Sequence, residues 1–183
     1  SDVYKRQVKD LIGQFKTHIW GIMEHHIGAI FHSANYLLDK LNNCQTRFLN
    51  EIGIREIDAF LEFNFAPLRL RRNIGVLGLL QKRVLGKCHP IFQELLPFHA
   101  EVFEQARPHV HDKQLCTGRD MGQFQPMLYR RSIFWMVHVY NRLQQNVVDC
   151  ESVSSFQRYL TKMAREKCEM NDLSWANSFS CRL

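Results

Sequence analysis

Six basic side chains fall within the stretch APLRLRRNIGVLGLLQKRVLGK: Arg69, Arg71, Arg72, Lys82, Arg83 and Lys87. Guanidinium and ammonium groups make charge-assisted hydrogen bonds to phosphate oxygens. A row of them on a helix could follow a nucleic-acid backbone, with an affinity that falls as salt rises. Residues three or four apart share one side of a helix, which places Arg72 beside Arg69 and Lys87 beside Arg83. The same pattern suits a solvated helix face whose arginine stems cover apolar neighbours. A second group sets Arg130 and Arg131 beside Trp135, and an aromatic next to arginines can stack a base. Arg142, Arg158, Lys162 and Arg165 could extend that surface, although Phe134, Trp135 and Tyr140 have core-like spacing. Arg130 and Arg131 are the contacts retained from it.

Other chemistry has weaker support. A helical metal pair needs histidines four residues apart, a spacing absent from His25, His26 and His32. His109 and His111 lie near Asp112 and Cys116, but nothing fixes a complete ligand set, so these imidazoles are read as solvated or satisfied within the core. The cysteines Cys44, Cys88, Cys116, Cys150, Cys168 and Cys181 are scattered and form no C-x-x-C pair; they are expected to be reduced thiols without structural zinc. No local Cys–His or Ser–His signature marks a nucleophile.

The elements that would position these groups belong to a chain of 183 residues, 45% hydrophobic, which suits one mid-sized domain or a compact body with appendages. The net charge of +6, from 24 basic and 18 acidic residues, leans toward a polyanionic partner. The longest uncharged run, His25 to Leu38, is too short for a membrane span and contains three histidines. No secretory signal is visible, which makes an intracellular location the expectation and a membrane partner unexpected.

Apolar periodicity predicts a mostly α fold, an irregular helical bundle with a long loop near 98–128. A first helix over Gln14 to Met23 would turn Phe15, Ile19, Ile22 and Met23 inward. A second carries Leu37, Leu38, Leu41, Cys44, Phe48, Leu49 and Ile52 on one side, with Gly53 placed as its stop. Glu56 to Phe63 is a shorter segment. Pro67 opens a helix to about Leu85, striped by Leu70, Ile74, Leu77, Leu80 or Gln81, and Val84, with Gly86 as its stop. Gly75 and Gly78 each cost roughly 1 kcal/mol against alanine in a helix, which predicts close packing there. Pro90 to Leu96 should add a turn or two. Pro108, Gly118, Gly122 and Pro126 punctuate the loop, and order resumes in LYRRSIFWMVHVYNRL. Ser152 is a natural N-cap for a helix to about Cys168, with Val153, Phe156, Leu160, Met163 and Ala164 inward, and a turn is expected around Trp175.

The segment YRRSIFWMVHVYNRLQQNVVDCESVSSFQRYL resembles the C-terminal tail of non-LTR retrotransposon reverse transcriptases. The matching positions are Arg131, Phe134, Asn141, Leu143, Val147, Val148, Ser152, Phe156 and Leu160, with Gln144 where the family has proline. LLDKLNNCQTRFLNEIGI and LRLRRNIGVLGLLQKRVLG resemble the stretch after the polymerase palm, with Gln45 and Arg47 in its characteristic position. The resemblance makes 8–97 a helical region like that following the palm and 130–183 a helical C-terminal tail, and the fading periodicity between them makes 98–129 a loop or linker. The resemblance also implies a nuclear parent protein that is an RNA-directed DNA polymerase using Mg²⁺, with RNA, DNA and its own polymerase core as partners. A two-metal polymerase site needs paired aspartates. Asp10, Asp39, Asp58, Asp112, Asp120, Asp149 and Asp172 are isolated in sequence, so the chain is expected to be noncatalytic alone and to need no cofactor. The expected role is to position template or primer. The alternatives are a helical protein-interaction module and a degenerate, inactive element copy. Ser1 to Gln7, SDVYKRQ, resembles a translated sequencing adapter; it is expected to be non-native and to stand outside the fold.

Overall fold

The computed structural model describes residues 2–25, 27–99, 110–117 and 126–182, and these are mostly helical. The chain divides into two units, residues 1–72 with 164–178 and residues 73–163 with 179–183.

In the first unit, α1 spans Asp2–Phe15, a π-helical turn spans Lys16–Trp20, and α2 and α3 follow at Gly21–Glu24 and Ile27–Ile30. The longer α4 and α5 are Asn35–Glu51 and Glu56–Phe63. Helix thus starts far upstream of Gln14. Val8 and Ile12 continue the inward stripe of Phe15 at helical spacing, and all three are buried. The expectation that Ser1 to Gln7 stands apart is corrected for Asp2 to Gln7, which form the opening turns of α1. There the Tyr4 hydroxyl donates to the Ile52 carbonyl at 2.7 Å. The π turn corrects the inward face as well. A π turn holds one residue more than an α turn, so it rotates everything after it. Trp20 enters the core, while Ile19 and Ile22 stay 36% and 78% exposed. Trp20 stacks on Phe65 at 4.8 Å, and Phe15 meets the same ring edge-on at 5.4 Å. Leu37 and Cys44 of α4 are exposed as well, while Leu38 turns inward as expected. Phe60 stacks on Trp175, which lies in a 3-10 turn over Trp175–Asn177.

In the second unit, α6, Leu68–Val84, continues past the division at Arg72. Then come α7 at Ile91–Leu95, α8 at Pro126–Tyr129, α9 at Ile133–Tyr140, α10 at Gln145–Val148 and α11 at Val153–Glu169, whose residues from Ala164 onward count with the first unit. The side chains of Met136, Tyr140, Val147, Val148, Phe156 and Leu160 are fully or almost fully buried. A Cβ at Gly78 would run into the Gln157 side chain, lying 3.1 Å from its Cδ, which is the close approach expected of a glycine inside a helix. Ser152 caps α11, accepting the Ser155 N–H at 3.0 Å, and the Ser155 hydroxyl oxygen accepts the Ser152 N–H at 3.3 Å in return.

Most of the expected loop, including Pro108, His109, Gly118 and Gly122, lies outside the described residues. The described part has order. Phe98 pairs with Leu115 as an antiparallel bridge, and the Asn141 side chain binds both backbone groups of Leu115, at 3.0 and 2.8 Å. Four of the described helices end at left-handed residues, where a backbone N–H reaches back to an orphan carbonyl. Gly53 and Gly86 take this role as the sequence suggests, and Asn64 and Asn171 do so as well. No described helix is long and apolar enough to cross a membrane.

Candidate nucleic-acid interface

The first three arginines of α6 reach three different partners, so they form no common edge. Arg69 grips Glu56 with both ends of its fork, at 3.1 and 2.5 Å. Arg71 makes a bidentate pair with Glu24, one arm at 2.6 Å, while its guanidinium lies 3.6 Å from the centre of the Trp20 ring. Arg72 is only 5% exposed and donates to the Asn42 side-chain oxygen at 2.7 Å. Around this cluster the Trp20 N–H donates to Gln45 at 3.4 Å, and Gln45 donates to the Ala66 carbonyl at 3.0 Å. Lys16 donates to the carbonyl of Phe63 at 2.6 Å, at the end of α5. Burial, and then the charge of Arg71, lower the Lys16 pKa. Each half-exposed ion pair contributes about 1 kcal/mol or less, but the bidentate geometry orients both members.

Further along α6 the cations separate by direction. Arg83 is 5% exposed, donates to the Leu96 carbonyl at 3.0 Å and lies 4.6 Å over the Phe98 ring. It therefore makes no surface pair with Lys87. Lys82 and Lys87 are exposed, and the Lys87 N–H donates to the Lys82 carbonyl at 3.0 Å in the turn through Gly86. Neither lysine has an ion pair among the described residues.

Arg130 is exposed and Arg131 half-exposed, just before α9. Trp135 is half-buried between ring edges, 5.6 Å from Tyr129 and 4.7 Å from His138. The Tyr129 hydroxyl lies 3.2 Å from the Thr117 hydroxyl. Burial, and then the charge of Arg142, lower the His138 pKa and favour a neutral ring.

The residues that carry the family resemblance serve the fold. Leu143, Val147, Val148, Phe156 and Leu160 are buried, Asn141 holds Leu115, and Ser152 caps α11. Gln144 sits at φ −73° and ψ 155°, the polyproline conformation that a proline would impose. Sequence periodicity left Gln81 interchangeable with Leu80, yet Gln81 is the polar centre of this unit. Fully buried, it donates to the carbonyls of Val148 and Cys150 at 3.0 and 3.1 Å and accepts the Tyr140 hydroxyl at 2.7 Å. Burial above all, aided by Asp112 and Asp149, raises the Tyr140 pKa far above that of a free phenol.

The structure brings together two aspartates that are far apart in sequence. The Gln145 amide donates to Asp112 at 2.7 Å and to Asp149 at 2.9 Å, and Lys113 pairs with Asp149 at 2.5 Å. These partners hold the exposed Asp149 carboxyl below its usual pKa. Both ring nitrogens of His111 are engaged: Nδ1 accepts the Lys113 N–H at 3.1 Å, and Nε2 lies 3.2 Å from the Tyr140 carbonyl. That assigns the proton to Nε2. Among the described residues no group of three or more His, Cys, Asp or Glu side chains could hold a metal; His26 and His109 lie outside them.

Charge is shared unequally between the units. The first holds twelve basic and eleven acidic residues, the second twelve basic and seven acidic. Most of the net +6 therefore belongs to the second unit. Compared with models of protein families, with curated proteins and with solved structures, the chain matches none.

Proposed function

We propose that the chain is a noncatalytic C-terminal portion of a non-LTR-retrotransposon-type reverse transcriptase and that it helps position RNA template or DNA primer. The polymerase core, its Mg²⁺ and nuclear action belong to the parent protein in the same proposal. The observation that supports nucleic-acid contact is the charge excess of the second unit, twelve basic against seven acidic residues, with Lys82, Lys87 and Arg130 exposed. Arg69, Arg71, Arg72 and Arg83 act one step back, by holding the helices. Arg131 adjoins Arg130 and shares its side of the proposal.

A salt titration of the chain with single-stranded RNA and with a primer–template duplex tests this. Three neutralised phosphates on a single strand should give a log–log slope of roughly −2. Binding without salt dependence, or none at low salt, rejects nucleic-acid positioning. That outcome would favour the rival, a helical protein-interaction module, whose raw material is exposed apolar surface such as Ile22 at 78% and Leu173 at 96%. A degenerate element copy would also fail to bind, and an unfolding midpoint far below that of an ordinary domain distinguishes it.

A further inference from the structure

Helix α9 has a buried side and an aromatic outer side. Met136, Val137 and Tyr140 are buried, while Trp135 is half-buried and His138 exposed. Three residues apart, Trp135 and His138 share one side of the helix, and their rings meet at 4.7 Å with 69° between their planes. Tyr129 meets Trp135 nearly perpendicularly at 5.6 Å, and its hydroxyl lies 3.2 Å from that of Thr117. Trp135 is therefore held against two rings, and it backs the imidazole of His138, which stays open to solvent. Arg142 prolongs the same side, four residues beyond His138: Asn141 keeps helical angles, φ −66° and ψ −9°, and the Arg142 N–H donates to the Val139 carbonyl at 3.2 Å. Arg130 follows Tyr129 directly. Both arginines are exposed, and neither has an ion pair or a side-chain hydrogen bond among the described residues. A guanidinium without a carboxylate is open to a phosphate, and a surface histidine ring backed by tryptophan is open to the face of a base. Stacked pairs in a duplex keep their base faces covered, so only an unpaired strand can use both.

We infer that the His138 ring, backed by Trp135, is a stacking platform for an unpaired base of a single-stranded nucleic acid, with Arg142 and Arg130 as the cations for the phosphates beside that base. The platform rests on the nucleic-acid function proposed above and adds to it a base contact and a preference for single strands. Its ligand chemistry is the face of a nucleobase together with its neighbouring phosphates.

Fluorescence anisotropy of the full chain with a labelled single-stranded RNA, and separately with the same RNA fully paired, provides the test. His138→Ala should weaken single-strand binding about fivefold to tenfold and leave the salt slope unchanged, because stacking releases no counterion. Arg142→Gln should make the slope shallower by roughly 0.7, the contribution of one phosphate contact. His138→Phe keeps a flat ring and should retain near-wild-type affinity, which separates stacking from folding if His138→Ala lowers the unfolding midpoint. Wild-type affinity in His138→Ala, alongside weakened binding in Lys82→Gln/Lys87→Gln, would overturn the platform and leave the broader function standing. A loss in His138→Phe as large as that in His138→Ala would overturn stacking, and an equal loss on the duplex would overturn the single-strand preference. Absence of salt-sensitive binding by the wild type would remove both the platform and the function, and leave these rings to a protein partner.

Discussion

The two units carry the same number of basic residues, twelve each, and differ in the carboxylates that offset them, eleven in the first and seven in the second. In the first, Arg55, Arg69, Arg71 and Arg165 each pair with a carboxylate, and Arg72 is buried against Asn42. In the second, Arg83 turns into the core, Lys113 pairs with Asp149, and Lys82, Lys87 and Arg130 remain exposed. A cluster of arginines in a sequence is therefore a poor guide to a binding face until its acidic partners are located. The arginine-rich LRLRR run, the most basic-looking stretch, is tied into helix packing, and the available positive field belongs to more scattered residues.

The contrast can be attacked first where the largest effects lie. Trp20→Ala should destabilise the chain by about 3–5 kcal/mol, because it removes a buried ring, its stack on Phe65 and the surface under Arg71. Chemical denaturation would show it, and a loss under 1 kcal/mol would mean that the aromatic cluster does not organise the first unit. The corresponding substitution in the second unit is Gln81→Leu. It strands the Tyr140 hydroxyl and removes the amide from the Cys150 carbonyl, each worth about 1–3 kcal/mol when left unsatisfied, while Lys113 still reaches the Val148 carbonyl at 3.3 Å, so a loss of about 3 kcal/mol is expected. A neutral result would show that these groups find other partners.

A smaller effect depends on pH. The folded Tyr140 phenol holds its proton above the pKa of the unfolded side chain, so the native state binds more protons at high pH. Its stabilising contribution is present below about pH 10, the ordinary phenol value, and is lost as pH rises further. Tyr140→Phe should flatten the alkaline decline in unfolding free energy; an unchanged decline would locate it elsewhere. Gly86→Ala should cost about 1 kcal/mol, since an alanine at φ +67° is strained although nothing crowds its Cβ. Lys87→Gln should change stability least, by under about 0.5 kcal/mol, while reducing nucleic-acid affinity.

Local signals in the chain were readable to the extent that they acted within a few residues. Gly53, Gly86 and Ser152 mark helix ends through short-range geometry, and Glu56 to Phe63 has the limits its pattern suggests. Asn64 and Asn171 end helices equally well but escape notice, because asparagine only sometimes adopts the left-handed conformation. The π turn is invisible to a fixed helical period: one inserted residue moves Trp20 inward and Ile22 outward with no change in composition. The upstream start of α1 was within reach, since Val8, Ile12 and Phe15 already form a stripe. The candidate interface was less legible for another reason. Arg69 finds its carboxylate 13 residues away and Arg71 finds its own 47 residues away, and Arg182 reaches Arg131 across 51. Such separations depend on how helices pack, which local periodicity does not encode.

The most direct test compares two charge reversals in one binding assay with single-stranded RNA. Arg69→Glu/Arg71→Glu/Arg72→Glu is expected to lower the unfolding midpoint sharply, with any loss of binding following the loss of folded protein. Lys82→Glu/Lys87→Glu/Arg130→Glu is expected to leave the midpoint nearly unchanged, reduce affinity by about a hundredfold and flatten the salt slope by roughly 2. If the second variant bound RNA like the wild type, or if the first lost binding while remaining fully folded, the assignment of Arg69, Arg71 and Arg72 to structure and of Lys82, Lys87 and Arg130 to contact would be contradicted.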